Sequence, residues 1–316
     1  MNKENSVYAT LENRQILMAM YDDKLSAWPV AYECLHLPTR FGETHVIAGG
    51  DPAAPPVVLF HAAGVNATMW SPNFEALGRQ FRLYAVDTIG DLGRSRLYDL
   101  GRYPRNGAEY SQWAAEVMDG LGVTRAHVIG ASMGGWLAMN LAMYQPGRVD
   151  RLVLLGPMGM PSWWSTMNVL GRLALAAMIP TQKNKEGLIQ WVLGGSQEAE
   201  QTWGAYLKAA VNGRPRLSSP YRISDNGLQQ IQAPTLLVLG EHDGQIGNAY
   251  QAAARARRCI PHVRAVVMPD TGHLMSTEKP EWINAQLIQF LNLEELRVEA
   301  LAPGARVSMQ GESHVV

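Results

Sequence analysis

The sequence predicts an α/β fold, a mostly parallel central sheet with helices on both faces and an inserted helical lid. Three observations carry this. Short apolar runs without polar alternation recur along the chain, as strands buried on both faces require. A segment of helical periodicity follows most of them, so strand and helix alternate. Between residues 158 and 230 the alternation stops, and apolar helical pieces rich in Trp and Met replace it, including Trp163, Trp164, Trp191 and Trp203.

Taken in order, residues 7–21 read as an amphipathic helix packed on the body, within an N-terminal helical extension of residues 1–27. "VAYECLHLPT" (30–39) and "ETHVIAGG" (43–50) form a hairpin whose joint "RFG" supplies a glycine for the turn. "PPVVLFHAAG" (55–64) is a buried strand. A helix near 69–79 and the strand "FRLYAVD" (81–87) follow. "EYSQWAAEVMDGLG" (109–122) has helical spacing, with Gly122 as its stop. "AHVIGAS" (126–132) is a strand, "MGGWLAMNLAMYQP" (133–146) a helix ended by Pro146, and "VDRLVLLGP" (149–157) a strand again. After the lid, "APTLLVLGEHD" (233–243), a helix near 246–258, "VRAVVMPDTGH" (263–273) and "TEKPEWINAQLIQFLN" (277–292) restore the pattern. The core is therefore residues 28–157 plus 231–294, with 158–230 inserted and 295–316 a loose tail.

Bulk properties exclude several classes of function. With 47% apolar and 17% charged residues and a net charge of -1, the chain carries no basic stripe for a phosphate backbone. Cys34 and Cys259 have neither metal-ligand spacing nor a disulfide framework, which suits a reducing compartment. The N-terminal stretch lacks a signal-peptide pattern, and no window has the length of a bilayer span. The expectation is a cytoplasmic protein, monomer or homodimer, with a small-molecule partner and no nucleic acid or membrane span.

The chemistry gathers around "HVIGASMGGWLAM" (127–139). Gly130-Ala131-Ser132-Met133-Gly134 is G-x-S-x-G with a strand before it and a helix after it, the context in which a serine is held exposed on a tight turn. A serine hydroxyl needs a base, and the base an orienting acid. "GEHDG" puts Asp243 just past one strand and "DTGHLM" puts His273 just past the next, at the sheet edge that carries Ser132. Each alone could be ordinary, Asp243 a helix cap and His273 a loop residue. Together, in the order Ser, Asp, His, they form a nucleophilic constellation. His242 is one residue off the acid position and shapes the turn. No H-E-x-x-H spacing occurs, and neither metal nor cofactor is expected.

On these residues the chain resembles the α/β-hydrolases of the serine esterase kind, over roughly residues 40–293. The resemblance implies an oxyanion hole formed by the backbone N–H of Met133 and, from "FHAAGVNATMW", that of Ala63, with alanine at 62 where the family has glycine. It gives His61 and Gly64 loop-structuring parts beside Gly130 and Gly134. Trp70 packs that loop. "VDTIGDLGRSR" is a longer form of the family's aspartate turn, with Asp87, Asp91 and Arg94 bracing it. Pro280 begins the helix after the histidine loop, with Ser276 and Thr277 as its caps. Trp136, Trp163, Trp164, Met158 and Met160 are candidates for an apolar pocket wall, or for packing of the lid. The implied reaction is two-step acyl transfer on a small to medium, largely apolar carboxylic ester. C–C bond, lactone and thioester hydrolysis use the same fold, as does a receptor with little turnover, so those readings stay open here. Serine at 132 argues against relatives that use an aspartate nucleophile.

Overall fold

The structure, a computed structural model, describes residues 7–160, 167–168, 171–172, 174–175, 178–179 and 181–293. A nine-stranded sheet forms its centre. The opening hairpin is β1 (Tyr32–Pro38) and β2 (Gly42–Gly49), antiparallel with His36 opposite His45. β3 (Pro56–Phe60) is followed by a 3-10 turn at Ala67–Trp70, α2 (Ser71–Gly78) and β4 (Arg82–Val86). Then come β5 (Arg96–Leu97), α3 (Gly107–Gly120), β6 (Ala126–Ala131), α4 (Met133–Tyr144) and β7 (Val149–Leu155). The strand order is β1-β2-β4-β3-β6-β7-β8-β9, parallel from β4 onward, with β8 (Thr235–Gly240) and β9 (Val263–Met268) at the far edge.

The central strands behave as their composition requires. Every residue of β6 and β8 is buried, as are the last four of β3 and the last five of β7. α4 is apolar all round and buried along most of its length, because it lies between the sheet and other helices. Crossover handedness then sorts the helices. The chain steps from β3 to β4 in one direction and from β6 to β7 in the other, so right-handed crossovers put α2 and α4 on opposite faces. α3 packs with α4, and the closing helix α10 (Pro280–Leu291) packs with α2.

The excursion between β7 and β8 carries α5 (Gln182–Leu193), α6 (Gln197–Ala210) and the short α7 (Asp225–Leu228). Arg255, on α8 (Ala249–Cys259), pins both of its ends. Its guanidinium donates to the carbonyls of Met160 (3.0 Å) and Ile223 (2.5 Å) and to Asp225 (2.9 Å). Elsewhere the Tyr206 hydroxyl donates to Leu92 O at 2.6 Å, and Arg216 N to Gly90 O at 2.8 Å.

Two local expectations change, and one short strand is added. The N-terminal helix is α1, Leu11–Ser26, later than 7–21, because Thr10 caps it by accepting from Asn13 N. Its buried stripe Leu17, Tyr21 and Leu25 carries it through the polar "YDDK". β5 pairs only two residues with β2, too few to leave a periodic signal. Ser276 and Thr277 lie inside the one-turn α9 (Met275–Glu278) and do not cap α10, whose N-cap is Lys279 without a side-chain bond.

α1 also closes a buried polar cluster. The Tyr21 hydroxyl (3.0 Å), His45 Nδ1 (3.1 Å) and Arg94 N (2.8 Å) all meet Asp87 Oδ2, while Oδ1 accepts from Ala67 N at 2.7 Å. Burial pushes the Asp87 carboxyl up, but His45 outweighs it and holds the group below the usual range. Burial likewise disfavours the His45 imidazolium. Its bond to Asp87, an interaction with the Cys34 thiol and the charge of Asp87 outweigh that and raise it to about 9. The folded chain therefore holds this proton more tightly than the unfolded one. The stabilisation is complete below about pH 6.5, the ordinary histidine value, and is lost as pH rises through 9. The urea midpoint of the wild type should fall between pH 7 and 9.5, by up to about 3 kcal/mol in stability, and His45→Gln should flatten that fall.

Candidate active site

Ser132 is the one residue between β6 and α4, with φ +53° and ψ -115°. Among the described residues other than glycine, only it and Asp270 have positive φ. Such a conformation costs on the order of 1–3 kcal/mol and persists where its surroundings over-determine it. Here Ser132 N donates to Leu155 O (2.9 Å), and Ser132 O accepts from Trp136 N (3.1 Å) and Met158 N (2.9 Å). The flanking glycines answer a need for close approach. A Cβ on Gly130 would lie 2.2 Å from Gly134 O, and one on Gly134 would lie 2.1 Å from Phe60 O. The start of α4 is thus pressed against the ends of β6 and β3.

Asp243 and His273 stand past the ends of β8 and β9. Asp243 is 1% exposed, and its Oδ1 accepts from Gln245 N (2.9 Å) and Ile246 N (3.2 Å). Its Oδ2 is 2.7 Å from His273 Nδ1. That bond places the ring proton on Nδ1 and leaves Nε2 as the acceptor; Nε2 is buried and makes no hydrogen bond. Gly156 joins this pair to the serine turn. It follows Leu155, the partner of Ser132 N, and a Cβ on it would lie 3.0 Å from Asp243 Oδ2 and 3.4 Å from His273 Nδ1. Sequence reading passed over Gly156; its signal was a glycine directly after the strand that lies between those of Ser132 and Asp243.

On the other flank, Ala63 is exposed on the turn just past β3, and Met133 is the first residue of α4. A helix's first N–H groups have no partner within the helix, and they favour negative charge. Ala62, in place of the family's glycine, is not among the residues with positive φ, so the exchange costs the backbone nothing. His61 Nε2 accepts from Thr88 N at 2.9 Å, which leaves Nδ1–H to face Ala62 O at 2.7 Å. Asp91 Oδ2 accepts from Gly64 N at 3.2 Å. Burial pushes the Asp91 carboxyl up. Asp87 holds Ala67 N of the same loop. The β3 and β6 loops flank the point where strand order reverses, the crevice where open α/β sheets bind ligands.

The pocket candidates are spread out. Trp136 is fully buried in edge-to-face contact with Tyr110 and Tyr221, ring centroids 5.7 and 5.1 Å away, with its indole N–H on Tyr221 O. Met158 is half-buried behind Ser132, and Met160 is fully buried. Trp163 and Trp164 lie outside the described residues. His242 is exposed, 3.5 Å from Asp270, and its N–H donates to Thr271 O. Donor atoms of Glu241, His242 and Asp270 lie within 4.8 Å of one another on that surface. No described helix is long and apolar enough to cross a membrane.

Residues 57–286 match the alpha/beta hydrolase family. Carboxylesterase YbfK of Bacillus subtilis is 32% identical over 300 residues, spanning 92% of this chain and 98% of that protein. The crystal structure of that carboxylesterase, CesB (YbfK), superposes with a TM-score of 0.80 over 89% of this chain and 99% of the other. Naproxen esterase from the same bacterium superposes with a TM-score of 0.79 at 30% identity, over 90% and 99% of the two chains. The chain belongs to the alpha/beta hydrolase family. Within that family its similarity runs to bacterial carboxylesterases over nearly the full length of both partners.

Two substitutions test the geometry. Ser132→Gly should raise stability by about 1 kcal/mol in a urea titration, because glycine adopts this φ without strain. Gly156→Ala should lower it by about 1–2 kcal/mol and depress ester hydrolysis more than tenfold, since the new methyl meets Asp243 at a strained φ.

Proposed function

We propose that the protein is a serine carboxylesterase in which Ser132 is the nucleophile, His273 the general base and Asp243 its orienting acid. Serine-hydrolase chemistry of the esterase type, on small to medium apolar esters, accords with the family and with both Bacillus subtilis relatives. The single observation that supports these roles best is the Asp243–His273 bond. It leaves Nε2 without a hydrogen-bond partner, and Gly156, next to the residue whose carbonyl holds Ser132 N, lies against the pair.

The reaction follows from the arrangement. Ser132 Oγ attacks the acyl carbon as its proton passes to His273 Nε2. The imidazolium so formed keeps its bond to Asp243, which fixes the tautomer and offsets the new charge. The tetrahedral oxyanion meets the N–H groups of Met133 and Ala63, one at the start of a helix and one on a loop braced by Asp91 and Asp87. The proton returns to the leaving alcohol, and water activated by the same histidine releases the acid. Hydrogen bonds at such sites are often long before substrate binds, so the unbonded Nε2 is compatible with this role.

The described helices of the insertion serve as a lid, and their apolar residues suit an uncharged acyl group. The two free cysteines fit a reducing, cytoplasmic setting.

Hydrolysis of p-nitrophenyl esters of increasing acyl length, on wild type and Ser132→Ala in parallel, tests the reading. Turnover on short to medium chains should fall by about 10⁴-fold or more in the variant. Absence of turnover on every ester, or turnover that survives in Ser132→Ala, would overturn it.

A further inference from the structure

The backbone on either side of His273 is held by a single carboxylate. Glu278 Oε2 accepts from Gly272 N at 2.9 Å, and Oε1 accepts from Leu274 N at 3.0 Å. Both of those N–H groups are on buried residues. The carboxylate lies so close that a Cβ on Gly272 would be 3.0 Å from Oε1 and 3.3 Å from Oε2, so glycine at 272 is what admits it. Glu278 is itself well anchored. It ends α9, its own N–H donates to Leu274 O, and its neighbour Thr277 accepts from the Trp203 indole at 3.3 Å. Behind the loop, the end of β8 presses in. His242 N donates to Thr271 O, and a Cβ on Gly240 would lie 2.2 Å from Gly272 O.

We propose that Glu278 is a positioning residue for the hydrolytic reaction, clamping the backbone on both sides of His273 so that Nε2 faces Ser132. The proposal rests on the roles assigned above to Ser132 and His273. An imidazole on a strand-end loop has two ways to drift: rotation of the ring and displacement of its Cα. The bond to Asp243 governs the ring. Nothing on the ring governs the Cα, and the two charge-assisted bonds from Glu278 close that second freedom. A base misplaced by an ångström loses much of its effect on a proton transfer while substrate binding is hardly touched. The burden therefore falls on kcat.

Glu278→Gln keeps the shape but presents an NH2 to one of the two N–H groups, breaking one bond. Glu278→Ala breaks both. On the best p-nitrophenyl ester, kcat should fall roughly tenfold in the glutamine variant and roughly 100-fold in the alanine variant, with KM within about twofold of wild type. Phosphonylation of Ser132 by a p-nitrophenyl alkylphosphonate, which also needs the base, should slow in the same proportion. If both variants keep wild-type kcat and phosphonylation rates while only the thermal midpoint falls, Glu278 is merely structural and the proposal is overturned. Should the alanine variant not fold, the glutamine variant decides alone. Hydrolysis that survives in Ser132→Ala would overturn the functional reading and this proposal with it. Activity lost in Ser132→Ala but untouched in both Glu278 variants would overturn this proposal only.

Discussion

The turn at Ser132 is the constraint on which the rest of the molecule depends. A side chain held at φ +53° lies outside the conformations an L-residue prefers, so it must be enforced from every side. Leu155 O, Trp136 N and Met158 N enforce it through the backbone, and the start of α4 pressed on Phe60 O enforces it sterically. That close approach is the reason for glycine at 130 and 134. It also sets β3 and β6 side by side with their loops open to one crevice, where strand order reverses.

Around this turn the fold separates orientation from support. Ser132, Asp243 and His273 come from or just past the ends of three strands of one sheet, with the Asp243–His273 bond and Glu278 fixing the histidine loop. The loop past β3 is likewise held by carboxylates. Asp91 takes Gly64 N and Asp87 takes Ala67 N, while His61 ties the loop to Thr88. Asp87 can remain fully buried because His45, Tyr21 and Arg94 N share its second oxygen. An unpaired carboxylate in that position would cost several kcal/mol. The N-terminal helix thereby contributes to the site's frame from a distance, through Tyr21.

The insertion is joined to the core in a different manner. Polar bonds fasten it at several points, with Arg255 at its two ends, Tyr206 on Leu92 and Arg216 N on Gly90, and its buried Ile189, Leu193, Trp203 and Leu207 join the same apolar core as the strands. Apolar burial shared in this way ties the described helices of the insertion to the body more firmly than the polar bonds alone would.

The strands and helices of the core were legible in the sequence because burial on both faces demands uninterrupted apolar runs, and "VVLF", "HVIGA" and "TLLVLG" can satisfy nothing else. Ser132 was legible for a related reason, since only glycine fits where backbone approaches backbone at 130 and 134. Asp243 and His273 were found as residues at strand ends, and their order along the chain supplied the rest. Other features depended on distant partners. Gly156 reads as an ordinary strand-end glycine until Asp243 and His273 are folded against it. Glu278 reads as a helix residue until its carboxylate reaches back to Gly272 and Leu274. Ser276 and Thr277 looked like caps by local rules, yet the buried one-turn α9 absorbed them. The sequence by itself determined which segments are buried and where the nucleophile's turn must be. Only the tertiary structure decided which groups meet across that turn, because hydrogen bonds between residues dozens of positions apart leave no local periodicity to read.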